Sequence, residues 1–337
     1  MRHIVLAGAI LAAAALPAQA QEFYAGKTMT IIVSTGAGGS YYQLAQAFSR
    51  HMPKYIPGQP TIIVKAMPGA GNLLATNFLH NIAPKDGTTI GTINNSIPLH
   101  QGLGGQGVHF DSRKFHWLGS TGTYNSVAYV WHTAGIKTFK DVMTREMVLG
   151  ASGTATSDSV YPRLMNEMIG TKFKVIDGYK DNPSMILATE SGEIMGRGGW
   201  FLSSLMSTQG QQLKDGKLTI LAQVALEKHP DLPNVPLVTE FITDKDKRAK
   251  LEFSLSWLPM GRPFVAPPGV PADRLKILRD SFIATARDPE LLAEAKKMSL
   301  EISPLTGEET QAMVAKFYET PKDVIESVRA IMVPQKK

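Results

Sequence analysis

Residues 30–52 read TIIVSTGAGGSYYQLAQAFSRHM, in which a strand rich in β-branched residues runs into a glycine loop and then directly into an amphipathic helix. Ser40 stands at the N-cap position of that helix, and Leu44, Ala47 and Phe48 recur after it at helical spacing. Glycine lets a backbone approach a ligand closely, and the unpaired N–H groups and dipole of a first helical turn favour negative charge. The stretch therefore predicts an anion site. The alternative is an ordinary βα turn that needs its glycines only for the backbone conformation.

Two further loops have a similar composition. In residues 147–169, MVLGASGTATSDSVYPRLMNEMI, a short apolar strand ends in a turn of small and hydroxyl-bearing residues, and a helical run follows. In residues 68–72, the turn PGAGN follows the strand TIIVKAM and precedes an apolar run that begins at Leu73. Three such loops predict a ligand that is held by backbone groups at the carboxyl ends of parallel strands.

Strands and helices alternate through most of the chain, which predicts an α/β fold with mostly parallel sheets. The strand candidates are residues 28–33, 61–67, 89–94, 115–120, 127–131, 147–151, 174–179, 218–224 and 262–266. The helix candidates are residues 41–52, 73–81, 139–143, 159–169, 183–191, 271–287, 289–297, 307–318 and 322–331.

The length of 337 residues favours two domains, and the helical tail that follows residue 271 is expected to pack back onto the first of them. The chain then crosses between the domains near residues 119–125 and again near residues 254–264. These crossings divide the mature chain into a discontinuous domain 1, residues 21–122 and 257–337, and a domain 2, residues 123–256. Two crossings make a hinge, and the cleft beside a hinge is where small ligands bind.

The beginning of the chain has the pattern of a secretory signal peptide. Arg2 and His3 precede an apolar run over residues 4–16, and the A-x-A pattern of residues 18–20 matches a cleavage site. We therefore expect a signal peptide over residues 1–20, cleavage after Ala20 and export to a bacterial periplasm.

The composition excludes several classes of function. The chain has no cysteine, which rules out thiol catalysis, thiolate metal sites and disulfides. The formal net charge of +6 agrees with an anionic ligand. No basic run is interleaved with aromatic residues, so nucleic acid is not an expected partner.

In the three loops and in further stretches, the sequence resembles the periplasmic solute-binding receptors of tripartite tricarboxylate transporters, also called Bug receptors. The order and spacing of the stretches carry the resemblance, which extends over essentially the whole mature chain. They are residues 30–45 (TIIVSTGAGGSYYQLA), 67–72 (MPGAGN), 84–90 (PKDGTTI), 149–156 (LGASGTAT), 178–194 (GYKDNPSMILATESGEI), 232–240 (LPNVPLVTE) and 264–275 (FVAPPGVPADRL).

The resemblance implies a Venus flytrap of two domains, in which each domain presents one strand-to-helix loop to the same ligand carboxylate. The implied ligand is a small organic acid, and the implied partners are the membrane subunits of a transporter. Neither a chemical reaction nor a cofactor is implied, and we expect a monomer. The implied ligand-binding residues are, in the first jaw, Gly36, Ala37, Gly38, Gly39, Ser40 and Tyr41, with Gly69 and Ala70 as its wall, and in the second jaw Ser152, Gly153, Thr154, Ala155, Thr156 and Ser157.

The chain departs from the family pattern at Thr35, at Tyr42, at Asn72-Leu73 and over residues 195–200. Where many relatives carry an aspartate, residues 195–200 read MGRGGW. Arg197 offers a bidentate fork to a second carboxylate, and Trp200 offers a flat apolar wall. Alternatively, Arg197 pairs with a surface carboxylate and Trp200 belongs to the core. Both interpretations stay open, and we include both residues among the ligand-binding candidates.

Other functions have weaker support. An exported serine hydrolase acting on a small carboxylate ester is the alternative, with Ser152 as nucleophile and Asp158 and His132 as possible partners, although no G-x-S-x-G motif is present. Residues 102–107 match G-x-G-x-x-G but lack the strand and helix of a dinucleotide site, which favours a surface loop. No spacing of histidine or acidic residues indicates a metal site.

Overall fold

The computed structural model describes residues 23–122, 125–154, 156–256, 258–298, 300, 302–320 and 322–332. The signal peptide and cleavage site expected at residues 1–20 lie outside these ranges. The described strands are β1 Thr28–Val33, β2 Thr61–Ala66, β3 Thr89–Thr92, β4 His116–Ser120, β5 Ser126–Trp131, β6 Met147–Ala151, β7 Phe173–Asp177, β8 Gly196–Phe201, β9 Leu218–Val224, β10 Pro263–Ala266 and β11 Leu305–Thr306.

The described helices are α1 Ser40–His51, α2 Leu73–Asn81, α3 Ile97–Gly102, α4 Asp141–Thr144, α5 Ser157–Ile169, α6 Asn182–Glu190, α7 Leu202–Lys214, α8 Lys245–Leu255, α9 Ala272–Ala286, α10 Pro289–Lys297, α11 Gly307–Tyr318 and α12 Lys322–Met332. Of these, α9 is the longest with 15 residues. Within the described part of the chain, no helix combines the length and the apolar composition needed to cross a membrane.

The described strands form two mixed sheets, with the orders β11-β4-β10-β3-β1-β2 and β7-β6-β8-β5-β9. β1 is parallel to β2 and β3, and β6 is parallel to β7 and β8, so the strands before the three glycine-containing loops have parallel neighbours. β5 and β10 are antiparallel to their neighbours. The α/β fold is confirmed, but the sheets are mixed rather than mostly parallel, because each strand that follows a crossing between the sheets enters in the reverse direction.

The two sheets use different parts of the chain. Strands of the first sheet come from residues 28–120 and 263–306, and strands of the second come from residues 126–224. The domain boundaries at residues 122 and 257 stay a prediction. The helical tail is divided: α11 packs on β4, whereas α12, with Val328 buried, lies against α5 and α8 beside the second sheet. The expectation that the whole tail returns to domain 1 therefore does not hold for α12.

Strand β8 shows how tertiary packing overrides local pattern. The sequence does not predict this strand, because GRGGWF contains three glycines and no alternation of apolar and polar residues. In the sheet, a Cβ atom at Gly196 would lie 2.1 Å from the carbonyl oxygen of Tyr129, and one at Gly199 would lie 2.4 Å from that of Ser157. The glycines thus allow β8 to pack closely between β5 and α5. The sequence also does not predict α3, α7, α8 and β11.

Packing of His100 leads to a prediction about the pH dependence of stability. The side chain is buried, and Nε2 lies 3.1 Å from the carbonyl oxygen of Gln106. Burial lowers the pKa of His100 below its ordinary value of 6.5, against the smaller effect of the Gln106 carbonyl. The unfolded chain binds this proton more readily than the folded protein does. The stability that neutral, buried His100 contributes is therefore fully present above about pH 6.5 and is lost as the pH falls toward the lowered pKa.

We expect His100→Gln to reduce the loss of stability between pH 7 and pH 5, as measured by urea unfolding at both pH values. The matched control is His109→Gln, because His109 is an exposed histidine in the same region. An equal loss of stability in wild type and His100→Gln would contradict the prediction.

Candidate functional site

The three loops meet at one small cavity between the two sheets. The cavity has a volume of about 40 Å³, which is room for one small polar group. Its lining comes from both halves of the molecule and comprises Thr35, Ser40, Tyr41, Asn72, Asn94, Ser152, Thr156, Ser157, Asp158, Asn182, Arg197, Trp200, Phe201 and Ser204. We call it the inner cavity.

A larger cavity of about 660 Å³ adjoins the inner cavity, with which it shares Thr35, Asn72, Ser152 and Asn182. It lies between the loop at residues 68–72 and the segment at residues 177–182. Its charged lining residues are Asp177, Lys180 and Asp181. We call it the outer cavity, and together the two cavities have the volume of a small-molecule site.

The loops of the two halves touch each other directly. A Cβ atom at Gly153 would lie 2.7 Å from Cα of Gly71, and one at Gly39 would lie 2.6 Å from Nδ2 of Asn182. Such distances are below any normal carbon contact, so only glycine permits this approach. The halves of the molecule are therefore closed over the inner cavity.

Three helix N-termini converge on the inner cavity. Helices α1, α5 and α7 each contribute residues of their first turn, and none of their N-cap residues makes a side-chain capping hydrogen bond. The first turns of α1 and α7 contain no acidic residue, and that of α5 contains Asp158. Because a helix N-terminus presents donors and partial positive charge, three of them make the inner cavity favourable for an anion.

Arg197 and Asp158 form a buried ion pair at the inner cavity. Nη2 of Arg197 donates to Oδ2 of Asp158 at 2.6 Å, and Nη1 donates to Oδ1 of Asn182 at 3.0 Å. The side chains of the pair are 3% and 4% exposed. Asp158 also accepts a hydrogen bond from Thr156. Arg197 therefore pairs with a carboxylate, as one interpretation of the sequence held, but this carboxylate is buried rather than on the surface.

Aromatic side chains form the apolar wall behind this ion pair. The guanidinium carbon of Arg197 lies 4.1 Å from the ring centroid of Trp200, whose ring is 5.8 Å from that of Tyr129. Trp200 belongs to a core cluster and also lines the inner cavity, so its two interpretations are compatible. Burial raises the pKa of Tyr129 to about 12, and burial likewise raises the pKa of Tyr161, so both stay neutral phenols at neutral pH.

Arg262 joins the two halves at the base of the inner cavity. This fully buried residue donates from Nη2 to the hydroxyl oxygens of Ser40 at 2.8 Å, Ser203 at 3.0 Å and Ser204 at 3.1 Å. The hydroxyls of Ser40 and Ser204 are themselves 2.5 Å apart. Ser40 begins α1 beside the first sheet, whereas Ser203 and Ser204 lie in the first turn of α7 beside the second. One guanidinium group thus links the N-termini of two helices from opposite halves.

Three buried polar atoms around the cavities have no hydrogen-bond partner among the described residues. Thr35 Oγ1 and Arg197 Nε belong to residues that line the inner cavity, and Asp177 Oδ1 belongs to a residue that lines the outer cavity. Buried polar atoms are rarely left unpaired, since each costs about 1–3 kcal/mol. These three atoms are therefore candidate hydrogen-bond partners of a ligand.

Most of the residues predicted from the sequence come together at this site, but the agreement is uneven. Ala37 and Gly38 are exposed and line neither cavity. Ala155 lies outside the described residues. The inner cavity includes Ser40, Tyr41, Ser152, Thr156, Ser157, Arg197 and Trp200, and the outer cavity includes Gly36, Gly69, Ala70, Ser152, Gly153 and Thr154, while Gly39 contacts Asn182 beside them.

Several residues of the site are not predicted from the sequence as ligand-binding residues. The sequence indicated Asp158 only as a hydrolase partner, and it placed Asn72 in the PGAGN turn without assigning it to the ligand. Asn182 belongs to a stretch that carried the family resemblance, so a signal for it existed. Ser204 lies on a helix that was not predicted, and Arg262 reaches Ser40 over 222 positions of sequence, which no local pattern indicates.

One group of potential metal ligands lies away from the cavities. His51, Asp288 and Glu290 have ligand atoms within 4.8 Å of one another. Lys54 pairs with both Asp288 and Glu290, which places a cation where a metal ion would have to bind. The geometry therefore favours an ion-pair network over a metal centre.

Comparisons with known proteins agree with this architecture. A UPF0065 protein of Bordetella bronchiseptica is 23% identical over 318 residues, which are 93% of this chain and 89% of that protein. The structure of the periplasmic binding protein BugD superposes with a TM-score of 0.72 at 17% identity, over 93% of this chain and 100% of that one.

Two further structures superpose well and contain ligands. An R. palustris protein with adipate has a TM-score of 0.72 at 15% identity, over 90% of this chain and 97% of its own. MatC from Rhodopseudomonas palustris with bound malate has a TM-score of 0.70 at 15% identity, over 91% of this chain and 99% of its own. At these identities the likeness shows the shared periplasmic-binding-protein fold.

The sequence profile of the tripartite tricarboxylate transporter family receptor, TctC, matches residues 44–329, which is most of the chain. The resemblance drawn from the sequence is thereby confirmed. The chain belongs to the family of tripartite tricarboxylate transporter receptors.

Proposed function

We propose that this protein is a periplasmic receptor that captures a small organic acid between its two halves and delivers it to the membrane subunits of a transporter. The convergence of three uncapped helix N-termini on the inner cavity carries the proposal. The family relationship and the adipate and malate in two proteins of the same fold support it. Receptors of this family are periplasmic, which agrees with the expected signal peptide.

The ligand carboxylate binds in the inner cavity. There it accepts hydrogen bonds from first-turn N–H groups, from the Thr35 hydroxyl and from Nε of Arg197, and the latter two side-chain groups have no other partner among the described residues. Each charge-assisted hydrogen bond contributes about 1.5–3 kcal/mol before desolvation is subtracted. The remainder of the ligand extends into the outer cavity, because the inner cavity of about 40 Å³ holds only one functional group.

Binding is coupled to closure of the two halves. Residues on both sides contact the carboxylate only when the loops around Gly71 and Gly153 meet, so the ligand shifts the population toward the closed form. The Arg262 link between Ser40 and Ser204 forms across the same closure. The membrane subunits then recognise the closed shape, and the receptor acts as a monomer.

Receptor function is better supported than hydrolase function. Ser152 lines both cavities, but none of the described residues that line them is a histidine. Asp158, the other candidate triad member, is held by Arg197 and Thr156. A Ser-His-Asp hydrolase needs a histidine base beside its nucleophile, and the described lining residues do not supply one. We propose accordingly that the protein binds its ligand without changing it.

A thermal-shift screen of small organic acids tests the proposal. A ligand present at 100 times its Kd stabilises the folded protein by about 2.7 kcal/mol, which raises the melting temperature measurably. We expect one or more carboxylates to do so and to be recovered unchanged after incubation. The corresponding alcohols or amides serve as controls that lack the anion. Turnover of a stabilising compound, or stabilisation by no carboxylate at all, would contradict the proposal.

A further inference from the structure

We infer that Ser40 and Ser204 together supply one hydroxyl proton to the ligand carboxylate, and that Arg262 is the positioning residue that directs this proton into the inner cavity. The inference rests on the proposed function, in which the carboxylate binds in that cavity. It adds Ser204 and Arg262 to the groups that set the affinity. It follows from a count of the donors and acceptors around the two hydroxyl groups.

Arg262 fixes the direction of hydrogen bonding on one side of the two hydroxyls. A guanidinium group has five N–H donors and no acceptor. Its Nη2 lies 2.8 Å from Oγ of Ser40 and 3.1 Å from Oγ of Ser204. Both oxygens therefore accept from Arg262, and neither hydroxyl proton can be donated back to it.

The pair of hydroxyls has one proton more than it uses. The two oxygens are 2.5 Å apart, so one hydroxyl donates to the other. The accepting hydroxyl keeps a proton of its own, for which the described residues offer no further acceptor. Ser40 and Ser204 are only 1% and 2% exposed, so bulk solvent does not accept this proton. Both residues line the inner cavity, where a carboxylate oxygen would accept it.

The shared proton couples ligand binding to closure. Ser40 begins α1 in one half, and Ser204 lies in the first turn of α7 in the other, so the two hydroxyls meet in the closed form. Either hydroxyl can hold the proton that points to the ligand, because an exchange of their roles leaves the count unchanged. Each hydroxyl also accepts from a cation, which polarises the O–H bond and makes it a stronger donor.

Alanine variants test the count by isothermal titration calorimetry. The probes are malate, adipate and each acid that stabilises the wild-type protein in the thermal-shift screen. Ser40→Ala and Ser204→Ala each leave one hydroxyl with one proton, so we expect each to weaken binding by no more than about 4-fold. The double variant Ser40→Ala/Ser204→Ala has no such proton, and we expect it to bind about 10- to 100-fold more weakly than either single variant.

The matched control is the double variant Ser203→Ala/Ser204→Ala. Ser203 accepts from the same nitrogen of Arg262 at 3.0 Å, but it is not among the described residues that line the inner cavity. Both double variants leave Arg262 one of its three serine contacts, and only this one keeps the proton of Ser40. We expect it to bind at least about 5-fold more tightly than Ser40→Ala/Ser204→Ala. Equal affinities in the two double variants would overturn the inference.

Arg262→Lys and Arg262→Gln test the positioning role of Arg262. A lysine ammonium group still only donates, whereas the amide oxygen of glutamine can accept the hydroxyl proton and withdraw it from the ligand. Both substitutions remove a buried guanidinium group, so the comparison between them is independent of that loss. We expect Arg262→Gln to bind the same acids about 10-fold more weakly than Arg262→Lys. Equal affinities in these two variants would reject the positioning role.

Failure of the inference is distinguishable from failure of the proposed function. If no carboxylate binds to the wild-type protein, the proposed function is rejected, and the inference with it. If carboxylates bind to the wild-type protein and bind to Ser40→Ala/Ser204→Ala with nearly the same affinity, only the inference is rejected.

Discussion

Gly153→Val is expected to weaken carboxylate binding roughly 10- to 100-fold while the protein stays folded. A Cβ atom at Gly153 would lie 2.7 Å from Cα and 2.9 Å from N of Gly71. Both neighbours are backbone atoms, so no rotation of a side chain relieves the overlap. The two loops would be held apart, and the ligand would lose its contacts to one half of the molecule.

The fold itself should tolerate this substitution. The backbone of Gly153 does not have a positive φ, so valine is not strained there. The overlap arises only across the two halves, and valine lowers the conformational entropy of the unfolded chain. We therefore expect the melting temperature without ligand to be nearly unchanged. Calorimetric affinities and small-angle X-ray scattering with and without ligand would measure both effects.

The matched control is Gly210→Val in α7. A Cβ atom there meets no other atom within 4 Å, and Gly210 lines neither cavity. This variant should bind and compact on ligand addition like wild type. Wild-type affinity in Gly153→Val would show that contact between the loops is not needed for binding, and the closure mechanism would then be wrong.

Arg197→Met is expected to lower the free energy of unfolding by about 3–5 kcal/mol. The substitution leaves the Asp158 carboxylate buried, with a side chain that is 4% exposed, and removes its charged partner. An unpaired buried charge is among the most destabilising changes a single substitution can make. Urea unfolding at neutral pH would measure the effect.

Two further variants test whether the lost stability comes from the unpaired buried charge or from the lost packing of the Arg197 side chain. The double variant Asp158→Asn with Arg197→Met removes both charges and should recover much of the lost stability. Arg248→Met breaks an exposed pair with Glu252 and should change the free energy of unfolding by about 0.5 kcal/mol or less. If Arg197→Met were no more destabilising than Arg248→Met, the buried pair would have no structural importance.

The sequence indicates the loops of the site well because their signals are local. The strand, glycine loop and helix around Ser40 and around Ser157 can each be recognised within about twenty residues. Arg197 illustrates the limit of this reasoning. The sequence suggested that Arg197 binds either a ligand or a surface carboxylate. Its partner is instead the buried Asp158, 39 positions earlier in the chain.

The elements that the sequence does not indicate have non-local causes. β8 contains three glycines because β5 and α5 approach it closely, and nothing in GRGGWF itself favours a strand. α7 follows β8 without an intervening loop, and its serine-rich first turn has no strong helical pattern. Through this helix, Ser204 reaches the inner cavity.

The sequence by itself determined the α/β class, the two loops that we propose to bind an anion, and the family, because strand and helix periodicity and glycine placement act over short distances. Only the tertiary structure decided that three helix N-termini share one cavity, that Asp158 neutralises Arg197 and that Arg262 joins Ser40 to Ser204. Those contacts depend on how the two sheets face each other, and that arrangement results from packing between distant segments.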